Sequence, residues 1–182
     1  MGIAGCYSGD LDAGEAALRP LRSFGSPVAD LFRPMPYTEV QKMLDWWAAP
    51  QQQHYWKSSF MREMDDAALD AMLHFVNRKP SPACAVVLDS CTARHSFLML
   101  GQWASQAQTE NGLCWVREFW EAMRSYLGAG VYVNYLSEGE AEERIRGAYG
   151  MNYERLVKLK KKYDPTNFFR INQNIGVSKV AA

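Results

Sequence analysis

Apolar positions along the chain recur at two periods, one suited to strands and one to helices. Short apolar-rich runs from His54 to Met61 and near Ala83–Leu88 and Ser96–Trp103 predict strands. Val131 to Leu136 reads as another strand, and Met1 to Tyr7 has the small and apolar residues of a first one. Between these lie helical patterns with readable starts. Asp12 and Glu15 open a helix through Ala16, Ala17, Leu18 and Leu21, which Gly25-Ser26-Pro27 ends. Thr38-Glu39-Val40-Gln41 is a capping-box pattern ahead of a helix through Met43, Leu44 and Trp47. Asp65 or Asp66 caps a helix carrying Leu69, Met72, Leu73 and Val76, broken by Pro80-Ser81-Pro82. A long helix is expected from about Leu113 to Tyr126, and a Ser137/Glu140 capping box precedes a short one.

The end of the chain carries the most detail. Tyr149, Tyr153, Leu156, Leu159 and Tyr163 make the apolar stripe of a terminal helix, with Glu154, Lys158, Lys161 and Lys162 opposite. Glu154 stands N-terminal to Lys158 at the favourable i,i+4 spacing, and lysines suit the negative end of the helix dipole. Asp164-Pro165 stops the helix, because the proline ring disfavours helical backbone in the residue before it. Beyond that turn, Phe168-Phe169-Arg170-Ile171 leads into three adjacent amides, Asn172, Gln173 and Asn174, an unusual composition for a free terminus.

Strands and helices are both abundant, and the alternation of a doubly wound fold with glycine-rich phosphate loops is missing, which predicts an α+β fold. The YVNYL run, the ending NYERLVKLKKKYDPTNFFRINQNI, Ala16-Leu18-Pro20-Leu21-Arg22, PYTEVQ at 36–41 and YWKS at 55–58 together resemble the C-terminal half of a berberine-bridge-enzyme-like, FAD-linked oxidoreductase. The likeness runs over most of the chain, with residues 131–176 carrying the terminal berberine-type motif. It implies the substrate (cap) domain of a vanillyl-alcohol-oxidase-like flavoenzyme: an antiparallel β-sheet with helices packed on one face, covering the isoalloxazine and forming the substrate cavity. The family's separate N-terminal domain, which binds FAD, is absent from this sequence, so the chain reads as beginning mid-protein.

The resemblance also assigns roles. Tyr135 lies in or near the catalytic cavity, Tyr132 and Asn134 lie close to the flavin, and Asn172, Gln173 and Asn174 dock against the flavin domain. The family's reaction is hydride transfer from a substrate C–H to flavin N5, with a carboxylate or tyrosinate taking the proton. For Tyr135 to be an ionised base, lowering a phenol pKa from ~10 to ~7 needs about 4 kcal/mol. No cation adjacent in sequence supplies that, so a positioning role is expected. The stretch between Leu88 and Trp103 is short against the family pattern, leaving Asp89 to His95 as its residue. The strand that often carries the acid/base group reads Phe97-Leu98-Met99-Leu100, without a carboxylate.

Composition narrows this reading. At 182 residues the chain suits a single domain, able to bury about 70% of its extended surface. Zero net charge argues against a nucleic-acid partner and permits a homo-oligomer. Six Trp and nine Tyr suit both a packed core and a cavity for an aromatic or sugar-like small molecule. The cysteines at 6, 84, 91 and 114 lack metal-site spacing and are expected to be reduced and buried, and His54, His74 and His95 sit on separate elements, so no metal is expected. There is no signal-peptide pattern, and no apolar run approaches the ~20 residues that span a bilayer, which reads as a cytoplasmic protein without a membrane partner. The expectation is a substrate-domain half, inactive until a flavin-binding domain or subunit is supplied. A non-catalytic small-ligand module and a truncated gene product are the alternatives.

Overall fold

A computed structural model describes residues 1–47, 51–91, 94–137, 140–171 and 173–176. Its chain contacts divide into two compact units, Met1–Ala49 and Pro50–Ala182, a boundary that composition did not mark.

In the first unit, α1 (Leu11–Arg22) begins where Asp10 accepts the Ala13 N–H at 2.9 Å, satisfying one of the free donors of the first turn. Arg22 ends the helix and gathers the following loop, donating to Glu15 at 3.1 Å, Asp30 at 2.6 Å and the Phe32 carbonyl at 2.9 Å. Two expectations fail here. Met1 to Tyr7 forms no strand, since a strand needs a paired edge and, among the described residues, this exposed segment has none. The helix expected through Trp47 is only α2 (Tyr37–Val40), capped by the Pro36 backbone without a side-chain bond. The N–H groups of Lys42, Met43, Asp45 and Trp47 reach back three residues rather than four, and Met43 and Leu44 stay exposed. An apolar stripe without a surface to bury it does not sustain a helix.

The second unit is built on a three-stranded antiparallel sheet in the order β1-β3-β2, from β1 (Gln53–Phe60), β2 (Ala85–Cys91) and β3 (Arg94–Trp103). Helices α3 (Asp66–Val76), capped by Asp65 at 2.8 Å, and α4 (Thr109–Met123) supply its core. Register places Met99 of β3 between Lys57 and Val86, and Phe97 between Ser59 and Leu88. Because side chains alternate and cross-strand partners share a face, these residues point toward the helices. Phe97 and Met99 are fully buried with Ala68 and Met72 of α3 and Val116, Phe119 and Met123 of α4. Phe119 stacks on Phe75 with centroids 4.6 Å apart and meets Phe97 edge-on at 5.6 Å, each aromatic pair adding about 0.5–1.5 kcal/mol to its burial. The opposite face carries Trp56, Ser58, Leu98, Leu100 and Asp89.

Close approach of α4 to the sheet depends on missing side chains. A Cβ at Gly112 would run into the Trp103 ring, and one at Gly101 would meet Val116 Cγ2 at 2.8 Å. Trp103 is itself fixed by bonds from its indole N–H to Gln53 at 3.1 Å and Thr109 at 3.0 Å. The helix begins four residues before Leu113, the expected start, after a Ser105/Gln108 capping box on a short 3-10 turn. Of the cysteines, Cys84 is buried, whereas Cys6 and Cys114 are exposed free thiols, contrary to the expectation of burial.

The terminal helix differs from its expected form. Gly150, at φ 54°, separates α5 (Glu142–Tyr149) from α6 (Tyr153–Tyr163), so Tyr149 closes one helix instead of opening the stripe of the next. Tyr153 is buried, but Tyr163 is 71% exposed. Glu154 pairs with Arg146 of α5 at 2.7 Å, not with Lys158. The Asp164 stop holds, and the residue does more than end a helix. Its carboxylate accepts the N–H groups of Phe168 at 2.7 Å and Phe169 at 3.1 Å and pairs with Lys160, which also reaches the Phe169 carbonyl.

Gly112→Ala is expected to destabilise the protein by about 1–3 kcal/mol in chemical denaturation, through displacement of Trp103. The hydrogen bond from Lys160, followed by those from Phe168 and Phe169, holds the Asp164 carboxyl below its ordinary range. A lowered folded value means that the attachment is complete above the unfolded pKa of about 3.9 and is lost as pH falls through the folded one. Acid titration followed at the Phe168 and Phe169 amides should show them released below that range, and Asp164→Ala should release them at neutral pH.

Candidate functional site

After α4 the chain runs along the outer edge of β1. A 3-10 turn at Arg124–Tyr126 leads to Leu127, which bridges Met61. Gly128 donates to the Phe60 carbonyl at 2.8 Å, and Phe60 donates to the Gly130 carbonyl at 3.2 Å. Ser59 Oγ caps both glycine carbonyls, at 3.2 and 3.0 Å. Gly130, at φ 96°, then turns the chain into a conformation that a side chain would strain.

The segment from Val131 to Leu136, expected as a strand, is a 3-10 turn at Val133–Tyr135. Tyr135 N–H donates to the Tyr132 carbonyl at 2.9 Å, and Leu136 N–H to that of Val133 at 3.3 Å. Val131 and Leu136 are buried at either end, the bridge to β1 uses the backbone groups before the turn, and among the described residues the turn has no strand partner. The change of geometry alters which side chains meet. A strand separates Tyr132 from Tyr135, whereas residues three apart in a 3-10 turn lie on one side. Their rings pack edge-to-face with centroids 5.1 Å apart, and Asn134 Nδ2 donates to the Tyr132 hydroxyl at 2.7 Å.

Tyr135 is held at both ends. Its carbonyl accepts the Trp56 indole N–H at 3.1 Å, and its hydroxyl donates to Asp89 Oδ2 at 2.8 Å. Asp89 lies on β2 opposite Ser96, on the sheet face away from α3 and α4. The expected strand stops at Leu88 and the family pattern places a carboxylate on β3, so Asp89 is not among the expected site residues. The available signal was a lone acid continuing the apolar run Ala85–Leu88, at a position that alternation assigns to the face of Ala85 and Val87.

The tail amides divide. Gln173 Nε2 donates to the Ser137 carbonyl at 3.1 Å, which brings it to the end of the same turn. The Asn174 side-chain oxygen is buried and has no hydrogen-bond partner among the described residues, and Asn172 lies outside them. A cavity of about 330 Å³ lies between α6 and the tail, lined by Leu156, Leu159, Lys160 and Phe169 among others. His54 on β1, His74 on α3 and His95 on β3 stand on separate elements, and among the described residues no group of acids, cysteines and histidines forms a metal-binding cluster. Nor is any described helix long and apolar enough to cross a membrane.

The geometry supports proton transfer from a hydroxyl at Tyr135 toward Asp89, beside an exposed tyrosine and amide able to meet a flat ring. The family described as "Berberine and berberine like" matches residues 131–176. An FAD-linked oxidoreductase of Dictyostelium discoideum is 24% identical over 95% of this chain and 42% of its own length. YgaK, an uncharacterized FAD-linked oxidoreductase of Bacillus subtilis, is 27% identical over 87% of this chain and 39% of its own length. The chain thus spans about two-fifths of these relatives. In structure it resembles 6-hydroxy-D-nicotine oxidase from Arthrobacter nicotinovorans with a TM-score of 0.70, at 22% identity, over 93% of this chain and 42% of that one.

Replacing Trp56 with Phe removes the indole bond to the Tyr135 carbonyl and should lower unfolding free energy by about 1 kcal/mol, measured by denaturant titration.

Proposed function

This chain is a relative of the berberine-bridge-enzyme-like FAD-linked oxidoreductases, and we propose that it forms the substrate-side half of such an enzyme. The observation that carries the reading is the Tyr135 hydroxyl donating to Asp89 on the sheet face away from the helices, next to Tyr132 and Asn134 on one turn.

A phenol bonded to a carboxylate needs no free phenolate to accept a proton. As a substrate hydroxyl gives its proton to the Tyr135 oxygen, Tyr135 gives its own to Asp89 Oδ2. The phenol stays neutral overall, which removes the ~4 kcal/mol cost of holding it ionised and changes its expected role from positioning alone to proton relay. Tyr132, 40% exposed, and Asn134 would meet the isoalloxazine ring and fix its orientation to the substrate. Bound flavin would supply the two-electron acceptor for hydride from the substrate carbon, chemistry that side chains do not provide.

The residues present fit one wall of a flavin site, with a ring edge and an amide exposed on a turn fixed to the sheet. Pyrophosphate binding at a glycine-rich helix start would come from a flavin-binding domain or subunit. Tyr163, Phe168, Phe169 and Ile171, between 71% and 88% exposed, offer an apolar surface for that partner. Gln173 contributes to docking by tying the tail to Ser137, and the buried Asn174 oxygen lies within the same tail.

The purified 182-residue chain is expected to be colourless and to bind free FAD weakly. Supplied with a flavin-binding domain from a relative, it should oxidise alcohol substrates, with kcat reduced about 10²-fold or more in Tyr135→Phe and Asp89→Asn. Stoichiometric flavin in the isolated chain, or full turnover by Asp89→Asn, would overturn the reading.

A further inference from the structure

The relay explains Tyr135 and Asp89 but not what keeps the turn that carries Tyr135 in place. Leaving that turn, Ser137 Oγ donates to Glu140 Oε1 at 2.8 Å. Glu140 Oε2 accepts from Arg144 Nε at 2.7 Å, in a pair whose side chains are only 7% and 28% exposed. Arg144 Nη2 continues to the Ser58 carbonyl of β1 at 2.7 Å, and its guanidinium lies 5.1 Å from the centre of the Trp120 ring on α4. Ser58 is two residues before Phe60, whose backbone faces Gly128 and Gly130, so its carbonyl points to the same outer edge of β1.

One planar side chain therefore joins the sheet edge, the core helix and the turn. Arginine suits this junction because its fork donates in two directions while its face rests on an aromatic ring, which an ammonium group cannot reproduce. Removing it leaves Glu140 charged, buried and without its cation, and such a group drags its surroundings toward water. Ser137 is the first residue to be pulled, and it stands two positions from Tyr135.

We propose that Arg144, acting through Glu140 and Ser137, is the positioning residue that holds Tyr135 against Asp89; its value to catalysis rests on the oxidoreductase reading above.

The test uses the whole chain labelled with ¹³C at tyrosine Cζ, a carbon that senses the hydrogen bond of its own hydroxyl. Tyr135→Phe assigns the signal, and Asp89→Ala gives its position without the carboxylate. In Arg144→Met the Tyr135 signal should move at least halfway to the Asp89→Ala position while the signals of Tyr55 and Tyr126, packed against the core, stay in place. Arg144→Lys should recover only part of the shift. If Arg144→Met does not fold, Glu140→Ala decides, because it removes the carboxylate that links Arg144 to Ser137, and it should move the same signal the same way. An unmoved Tyr135 signal in a folded variant, or one that moves together with Tyr55 and Tyr126, would overturn the proposal. The measurement needs no flavin, so its failure leaves the oxidoreductase reading intact, and failure of that reading leaves the measurement valid.

Discussion

Everything in the second unit is aligned by the approach of α4 to β3, where Gly101 and Gly112 leave room for the Trp103 ring and Val116. That contact fixes how deeply Phe119 enters between Phe75 and Phe97, and it fixes where α4 ends. The end of α4 determines where the next residues meet β1, and from there the backbone bonds at Phe60 leave little freedom. The site is therefore set in sequence order by the core: helix depth, exit point, edge contact, turn. Each step uses close packing or backbone hydrogen bonds, which tolerate small errors poorly and so transmit position well.

The same logic explains which parts of the fold were legible in the sequence. β1, α3 and the two hairpin strands announced themselves because their apolar residues face a helix layer or a partner strand, and burial produces the period that sequence reading detects. The Asp164-Pro165 stop was legible for a different reason, since it follows from the local sterics of proline. By contrast, Met1, Ile3, Met43, Leu44 and Trp46 are apolar residues that stay exposed, and pattern alone does not reveal that. Val131 to Leu136 misled in a third way. Its β-branched and aromatic residues favour a strand, but Gly130 and the buried ends at Val131 and Leu136 impose a tight turn.

At the candidate site, the identity of the residues was more legible than their relation. Tyr132, Asn134 and Tyr135 could be named from the motif, whereas the partner of Tyr135 could not, because Asp89 lies 46 positions away and meets it only through the sheet. Long-range pairing of this kind leaves no trace in local composition. Gln173 shows the same limit: the motif names the residue, but its bond to the Ser137 carbonyl spans 36 positions of the chain.

Strand order gives the sheet one more consequence. β3 lies in the middle, with neighbours on both sides, while among the described residues β2 pairs with β3 alone. Asp89 therefore stands on a border strand of the sheet. Tyr135 hangs from the opposite margin, along β1. The two partners of the Tyr135–Asp89 hydrogen bond are thus carried by the two borders of a narrow sheet, and any shear or added twist of that sheet changes the distance between them. Such a site is tuned by the curvature of its platform as much as by the groups standing on it.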